Sequence, residues 1–213
     1  MIKTIKSTSK YNERIWVQGR VITKYNIPQK HIDDLNNLYE RSKKDFVSHG
    51  KVLAGRIRHG AELEILPIIQ KSTIFKVIMQ CMNEHMNTLI DFDLVEKRPH
   101  NFHVLSCWVN DMKEGEYNPV HTHHDNTGYS VVLFLKMPKF INDTPHKHKF
   151  NDGKLCFIDN CNVGTWNTES KEGDFYIFNA DHQHMVYPFK TDPPGQIRRT
   201  MSFNYTAEPK DKK

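Results

Sequence analysis

Five short β-rich runs, separated by turn-forming clusters, are spread over the second half of this 213-residue chain. Each run is rich in β-branched and aromatic residues, and the segments between the runs contain the Gly, Asn, Asp and Pro residues that favour turns. Runs this short at this spacing are typical of an antiparallel sandwich or jelly roll. The predicted strands cover residues 104–109, 129–136, 154–158, 174–178 and 197–205.

The first hundred residues follow a different pattern, in which apolar residues recur at helical spacing. This spacing predicts a helix from His31 to about His49 and a second helix up to about Ile90, with Ser72 as its N-cap. The fold class that follows is mainly β with N-terminal helices.

The length of the chain suits one hydrophobic core, so we expect a single domain over residues 1–213. Within it we expect a helical support region at 1–100, a jelly-roll core at 101–206 and a flexible tail at 207–213.

The composition excludes several classes of protein. The hydrophobic fraction of 38% and the charged fraction of 26% are those of an ordinary globular protein. The net charge of +5 is mild, and no Lys/Arg block with interleaved aromatic residues indicates nucleic-acid binding. No apolar run has the length of a membrane span, and the first residues lack a signal-peptide core. The four cysteines show no zinc-type spacing, which favours reduced thiols and a cytoplasmic location.

A cluster of imidazoles and a carboxylate precedes the strongest β run. If the segment is extended, His121, His123 and Asp125 point to one face, because side chains alternate along a strand. Two histidines and one carboxylate with open coordination positions are the ligand set of non-haem Fe(II) oxygenases. The pattern therefore predicts a metal site at this end of the β core.

A further imidazole comes from a distant segment, in which His182 and His184 compete as ligands. His184 opens a short strand that ends at Pro188, whereas His182 follows the turn after the preceding strand. The pattern favours His184 as the metal ligand.

The last predicted strand places polar residues on one of its faces. Arg198, Thr200, Ser202 and Asn204 lie on one face and alternate with Arg199, Met201 and Phe203 on the other. A polar inner face is costly unless it lines a wet or ligand-filled cavity. A planar guanidinium beside a hydroxyl suits the capture of a carboxylate. Arg198 and Thr200 are therefore the candidate residues for binding an organic acid.

Taken in order, these segments resemble the 2-oxoglutarate/Fe(II)-dependent oxygenase superfamily. The closer resemblance is to the prolyl-hydroxylase-like oxygenases of unassigned substrate found in bacteria and cyanobacterial phages. It covers roughly residues 50 to 206 and rests on motifs that begin at Trp108, Ser130, Glu172, His184 and Arg198.

The resemblance implies a double-stranded β-helix, or cupin-like jelly roll, that holds Fe(II) through an HxD…H triad. In this chain the triad would be His123, Asp125 and His184. It also implies 2-oxoglutarate and O2 as co-substrates, with the far carboxylate of 2-oxoglutarate paired with Arg198 and aided by Thr200. The implied activity is a hydroxylase that converts 2-oxoglutarate to succinate. The compartment would be the host cytoplasm if the protein is phage-encoded.

The ligand set has one alternative. The phage-like group often shows an HxH pattern here, which fits His121 and His123 and makes His121 the alternative to Asp125. A three-His site is also found in dioxygenases that need no 2-oxo acid. Two other functions therefore stay open: a cupin-type metal dioxygenase independent of 2-oxoglutarate, and a non-catalytic jelly-roll binding or virion protein. The sequence indicates neither the primary substrate nor the oligomeric state.

Overall fold

The computed structural model describes residues 3–6, 14–17, 20–123, 127–141, 151–159 and 164–210. Within these ranges the chain forms strands, three α-helices and two single-turn 3-10 helices, at Lys43–Asp45 and Gly50–Val52. The helices are α1 (Gln29–Ser42), α2 (Leu66–Ile69) and α3 (Thr73–Asp91). The strands are β1 (Lys3–Lys6), β2 (Arg14–Val17), β3 (Val21–Asn26), β4 (Ala61–Glu64), β5 (His100–Met112), β6 (Asn118–His121), β7 (Tyr129–Lys136), β8 (Leu155–Asp159), β9 (Gly164–Asn167), β10 (Asp174–Asn179), β11 (His184–Val186) and β12 (Arg198–Pro209).

The strands form two antiparallel sheets. The larger sheet has eight strands in the order β1-β2-β3-β10-β7-β12-β5-β4, and the smaller has four in the order β6-β11-β8-β9. Neighbours in the sheets are mostly distant in sequence, as expected for a jelly roll. The predicted fold class is confirmed.

One face of the large sheet packs against the helices. Alternate residues of β7 and β12, among them Leu133, Met201 and Phe203, meet apolar side chains of α1 and α3 in one buried cluster. The apolar positions of these helices recur at helical spacing, so each helix presents a continuous stripe to the sheet. Burial of this kind of surface is the main stabilising contribution of the fold.

The other face of the large sheet packs against the small sheet. Phe134, Tyr176 and Phe178 of the large sheet contact Leu155 and Phe157 of β8 in a second buried cluster. Because β7 is buried on both faces, its sequence is a nearly unbroken apolar run rather than an alternating one. This cluster holds the two sheets together beside the cavity described below.

The strand and helix predictions for the described residues agree with the structure within a few residues, with two differences. The helix expected from His31 to about His49 ends at Ser42 and continues only as a 3-10 turn. Ser72 does precede α3, but its hydroxyl donates to the carbonyl oxygen of Ile69 (2.6 Å) instead of accepting from the helix.

The region expected to be helical also contributes strands β1 to β4 to the large sheet. These strands are short, and four or six residues hold too little periodicity to separate a strand from a loop. At the other end, β12 runs to Pro209, because Ala207 and Glu208 pair with Phe102 and Asn101 of β5. The paired region therefore extends past the start of the predicted tail.

None of the helices in the described part of the chain has both the length and the hydropathy needed to cross a membrane.

A buried carboxylate ties two loops together next to the small sheet. The backbone N–H groups of Arg58, His59 and Gly60 donate to Glu116 Oε1 at 2.7, 2.5 and 3.0 Å, and that of Lys113 donates to Oε2 at 2.7 Å. Burial by itself raises the pKa of Glu116, but these four hydrogen bonds to the charged form outweigh it and lower the pKa below its usual value. The carboxylate thereby holds residues 58–60 against the turn before Glu116.

We expect Glu116→Gln to lower the free energy of unfolding at neutral pH by about 1–3 kcal/mol, because an amide presents N–H donors to N–H donors. A group with a lowered folded pKa stabilises above its unfolded pKa of about 4.3, and this contribution is lost as the pH falls through the folded pKa. Urea unfolding of both proteins at pH 7 and under acid should therefore give a difference that shrinks in acid. The exposed Glu169→Gln variant is the control, and an equal loss in that variant would contradict this role of Glu116.

Candidate functional site

Three histidines from separate parts of the β core converge on one point. His121 is the last residue of β6, His123 follows it by two residues, and His184 is the first residue of β11. One ligand nitrogen of each imidazole lies within 4.8 Å of those of the other two. A group of three imidazoles this close together could hold a metal ion.

Sheet register explains how these side chains meet. β6 and β11 are antiparallel neighbours, and His121 lies directly opposite His184. His123 is positioned by its own backbone, because its N–H donates to the carbonyl oxygen of Ala180 (2.9 Å) just before β11. The spacing of two residues then puts His121 and His123 on the same side, as the alternation predicted.

Backbone carbonyls set the tautomers of two of the imidazoles. His121 Nδ1 donates to the carbonyl oxygen of Pro119 (2.7 Å), and His184 Nδ1 donates to that of His182 (2.8 Å). A carbonyl oxygen can only accept, so Nδ1 holds the proton in each ring and Nε2 presents a lone pair. Metal-binding histidines are usually oriented through such a hydrogen bond.

The distances and charges of the cluster also fit a metal ion. His123 Nε2 lies 3.0 Å from His184 Nε2, and nitrogens bound at right angles to a metal at about 2.1 Å are about 3 Å apart. Burial, followed by the influence of the neighbouring imidazoles, lowers the pKa of His123 to about 3 and that of His184 well below its usual value. Burial also lowers the pKa of His121. The rings are therefore neutral at physiological pH, the form that binds metal.

The other two predicted candidates for the metal site are placed differently. Asp125 lies outside the described residues. His182 is buried against Phe157, with ring centroids 5.2 Å apart, and lies outside the imidazole cluster. Its backbone carbonyl, rather than its ring, serves the site by accepting from His184.

The imidazoles open into a cavity of about 660 Å³ between the two sheets. Its lining includes the pocket-facing residues of β12, which are Arg198, Thr200, Ser202 and Asn204. Apolar side chains of both sheets, including Val132, Leu155 and Val186, complete the wall near the imidazoles. A cavity of this size holds a small organic acid together with part of a second ligand.

Arg198 is buried in this cavity without a counter-charge. Only 1% of its surface is exposed. Nε donates to the carbonyl oxygen of Gly153 (2.9 Å), and the guanidinium lies 5.0 Å from the ring centroid of Phe134. Nη2 has no hydrogen-bond partner, and no carboxylate among the described residues pairs with the group. Burial lowers the pKa of Arg198 to about 9.

Arg199, the next residue, is also buried, but its guanidinium donors are paired with acceptors of the protein. Arg199 points to the opposite face of β12, where Nε and Nη2 donate to the two carboxylate oxygens of Asp111 at 2.5 and 2.8 Å. It also donates to Glu40 (2.6 Å) and Asn36 (3.1 Å) and lies 4.4 Å from the ring centroid of Tyr39. Arg199 is thus a structural residue, and of these two arginines it is Arg198 that has a guanidinium nitrogen without a partner in the described part of the chain.

Sequence reasoning assigned no role to several other residues of the cavity. Glu62 of β4, Asn110 of β5 and Asn118 of β6 place polar groups in it, and Trp108 lies between the rings of His49 and His123 at centroid distances of 5.5 and 6.1 Å. One signal for Glu62 was present. Glu62 and Glu64 flank Leu63 in a period-2 pattern that places both carboxylates on one face of a strand.

The fold and the site together define a jelly-roll protein with a cluster of imidazoles that could hold a metal ion and a buried arginine in the same cavity. Residues 106–204 match the family model described as a putative 2OG-Fe(II) oxygenase. This span contains the three imidazoles and Arg198. The resemblance to the 2-oxoglutarate/Fe(II) oxygenases is confirmed, and the predicted cofactors Fe(II) and 2-oxoglutarate are those of the matched family.

Solved structures share the fold at low sequence identity. A prolyl-4-hydroxylase from Pseudomonas putida is 16% identical, with a TM-score of 0.56 over 89% of this chain and 93% of that one. A Trichoplax adhaerens prolyl hydroxylase, solved with a hypoxia inducible factor peptide, is 15% identical, with a TM-score of 0.58 over 87% and 83%. HygX from Streptomyces hygroscopicus, solved with nickel and 2-oxoglutarate, is 13% identical, with a TM-score of 0.54 over 87% and 82%. No curated protein matches the sequence of this chain.

We expect His184→Ala to abolish stoichiometric Fe(II) binding, because the variant removes the buried imidazole that lies opposite His121. The matched control is His182→Ala, which keeps the backbone carbonyl that orients His184. Anaerobic metal titration followed by elemental analysis measures both variants. Retained stoichiometric iron in His184→Ala, or its loss only in His182→Ala, would contradict the assignment.

A second pair of variants tests which residue completes the ligand set. If His123, Asp125 and His184 are the triad, Asp125→Ala should weaken Fe(II) binding far more than His121→Ala in the same titration. The reverse order would establish the three-His set. Circular dichroism of each apo-protein checks that the loss concerns the metal and not the fold.

Proposed function

We propose that this protein is an Fe(II)- and 2-oxoglutarate-dependent dioxygenase that hydroxylates a substrate not yet identified. In the overall reaction, substrate C–H, O2 and 2-oxoglutarate give substrate C–OH, succinate and CO2. His123 and His184 bind the metal together with Asp125 or His121, and Arg198 and Thr200 bind the co-substrate. The cytoplasmic location and the likeness to phage-encoded enzymes remain predictions.

The observation that carries this proposal is the unpaired guanidinium of Arg198 in the cavity of the three imidazoles. Removing a charge from water costs several kcal/mol unless an opposite charge compensates for it. The far carboxylate of 2-oxoglutarate would supply that charge and the acceptor that Nη2 lacks. Thr200, 2% exposed and two residues along the same face of β12, adds a hydroxyl next to the same carboxylate.

The side chains of the chain have positioning and shielding roles in this reaction. Fe(II) and 2-oxoglutarate supply the oxidising chemistry when bound. Arg198 fixes the co-substrate at one end, and Pro119 and His182 hold two imidazoles in orientation through their backbone carbonyls. The apolar wall of Val132, Leu155 and Val186 excludes water from the space beside the metal.

The three-His cluster favours one second candidate, a metal dioxygenase independent of 2-oxoglutarate. Its ligand set would be His121, His123 and His184, which are the residues that lie together. In such an enzyme no 2-oxoglutarate carboxylate would pair with the buried Arg198, so we place this candidate second. The two candidates differ in whether succinate is formed.

We expect Arg198→Ala to raise the dissociation constant for 2-oxoglutarate by about 10- to 150-fold, since a hydrogen bond to a charged group contributes about 1.5–3 kcal/mol. Anaerobic calorimetry on the Fe(II) protein measures the affinity, and succinate formation under air measures turnover. Arg198→Lys should retain part of the affinity, because it keeps the charge without the planar fork. The exposed Arg41→Ala is the control.

Unchanged affinity for 2-oxoglutarate in Arg198→Ala would contradict the co-substrate assignment. If the wild type binds iron but forms no succinate with any substrate tried, the metal dioxygenase independent of 2-oxoglutarate becomes the favoured function.

A further inference from the structure

The wall of the cavity formed by β4, β5 and β6 presents an acceptor-rich surface that the binding of 2-oxoglutarate does not use. Glu62 is 7% exposed and Asn110 is 4% exposed, and both line the cavity with Asn118. Within the described chain, the carboxylate of Glu62 has neither a hydrogen bond nor an ion pair. Asn110 Oδ1 and Asn118 Oδ1 are buried and also have no hydrogen-bond partner.

Register places Glu62 away from Arg198. Glu62 lies opposite Asn110 on β5, and Asn110 in turn lies opposite Thr200 on β12. Neighbouring strands are about 4.8 Å apart, so Glu62 lies on the order of 10 Å from the β12 backbone. Arg198 lies opposite Met112, two residues beyond Asn110. No ion pair joins the side chains of Glu62 and Arg198 in the described part of the chain, so Glu62 is not the counter-charge of Arg198. It also lies outside the imidazole cluster, so it is not grouped with the metal ligands.

The backbone around Glu62 is shaped to admit its carboxylate. A Cβ atom on Gly50 would lie 2.8 Å from Glu62 Oε2, and one on Gly55 would contact Oε1 and lie 3.1 Å from Asn118 Oδ1. Glycine at these positions leaves room for the acid, and the oxygens of Glu62 and Asn118 lie against the same Cα atom. Glu62 is therefore held next to Asn118 at the cavity wall.

The amide of Asn110 is oriented by the same sheet. Asn110 Nδ2 donates to Ser202 Oγ at 3.5 Å, which leaves Oδ1 as the free end of the amide. Burial, together with the nearby charge of Glu116, raises the pKa of Glu62 to about 7, as expected of a carboxyl group with no cation beside it. A buried acceptor without a donor is costly, and a ligand that provides donors removes this cost.

We propose that Glu62, with Asn110 and Asn118, binds a cationic nitrogen group of the primary substrate, either an ammonium or a guanidinium. The inference rests on the proposed function, because it assigns the substrate class of the same cavity. One side of the cavity, at Arg198, takes the anionic co-substrate, and the other, at Glu62, takes the cationic group of the substrate. The imidazole metal site shares this cavity, so the cation anchors the substrate for reaction at another of its carbons.

The test compares two probes of the same length on the anaerobic protein, with and without Fe(II) and 2-oxoglutarate. The probes are n-pentylamine, which is protonated at neutral pH, and the neutral 1-pentanol. We expect the wild type to bind pentylamine tighter than pentanol by about tenfold or more, the order of one charge-assisted hydrogen bond. Calorimetry gives both affinities and requires no turnover.

Glu62→Gln should abolish the preference for pentylamine while changing the affinity for 2-oxoglutarate by less than about twofold, a difference well below 1 kcal/mol. The matched control is Glu64→Gln. Its carboxylate lies on the same face of β4 but already accepts from the N–H groups of Leu66 (2.9 Å) and Cys107 (3.2 Å). Glu64→Gln should keep the preference for pentylamine.

Equal binding of the two probes to the wild type, or no binding of either, would overturn the proposal without any variant having to fold. A preference that survives in Glu62→Gln would overturn it as well. The proposed function fails separately: if neither Fe(II) nor 2-oxoglutarate binds but pentylamine is still preferred, the cation site stands and the oxygenase proposal does not.

Discussion

The period-2 alternation of β12 is the constraint on which the rest of this structure depends. The strand pairs with β5 on one side and β7 on the other, and it is buried on both faces. Successive side chains therefore point alternately to the helix-packed core and to the cavity. Met201 and Phe203 face the helices together with the paired Arg199, and the polar set that begins with Arg198 and Thr200 faces the cavity. A slip of one residue would put Arg198 among apolar side chains and Met201 in the cavity. Fold and site are therefore specified by the same register.

Because side chains alternate along β12, the adjacent Arg198 and Arg199 lie in different environments, one in the cavity and one against the helices. Arg199 satisfies its donors with Asp111, Glu40 and Asn36, so its burial is compensated within the fold. Arg198 is as deeply buried, but its Nη2 has no hydrogen-bond partner among the residues that the structure describes. Under the proposed function, the carboxylate of 2-oxoglutarate offsets the desolvation of Arg198, so folding would prepare this site at some cost in stability. At the β4 side of the cavity the situation is reversed, because Glu62, Asn110 and Asn118 are buried acceptors without donors in the described part of the chain.

Much of the β core was predictable because alternation and turn residues are local signals. The strands around 129–136 and 174–178 were found almost to the residue, and so was the polar face of β12. The places of β1 to β4 in the large sheet were not predictable, since they depend on the pairing of β3 with distant β10 and of β4 with β5. The spacing of two residues predicted that His121 and His123 share a side, whereas their meeting with His184 depends on the pairing of β6 with β11. The role of Glu62 was not predictable, because its significance comes from the absence of a partner in three dimensions. The ligand choice between Asp125 and His121 stays a prediction.

The central claim is that one cavity binds both a metal at the imidazoles and 2-oxoglutarate at Arg198. Anaerobic difference spectroscopy tests it most directly: Fe(II) is added to the apo-protein, followed by 2-oxoglutarate, and the visible charge-transfer band of the 2-oxo acid–iron complex is recorded. We expect a band that saturates in one-to-one proportion and whose midpoint shifts to higher 2-oxoglutarate concentration in Arg198→Ala. Iron binding without the band would contradict the claim, and so would a band with the same midpoint in the wild type and in Arg198→Ala.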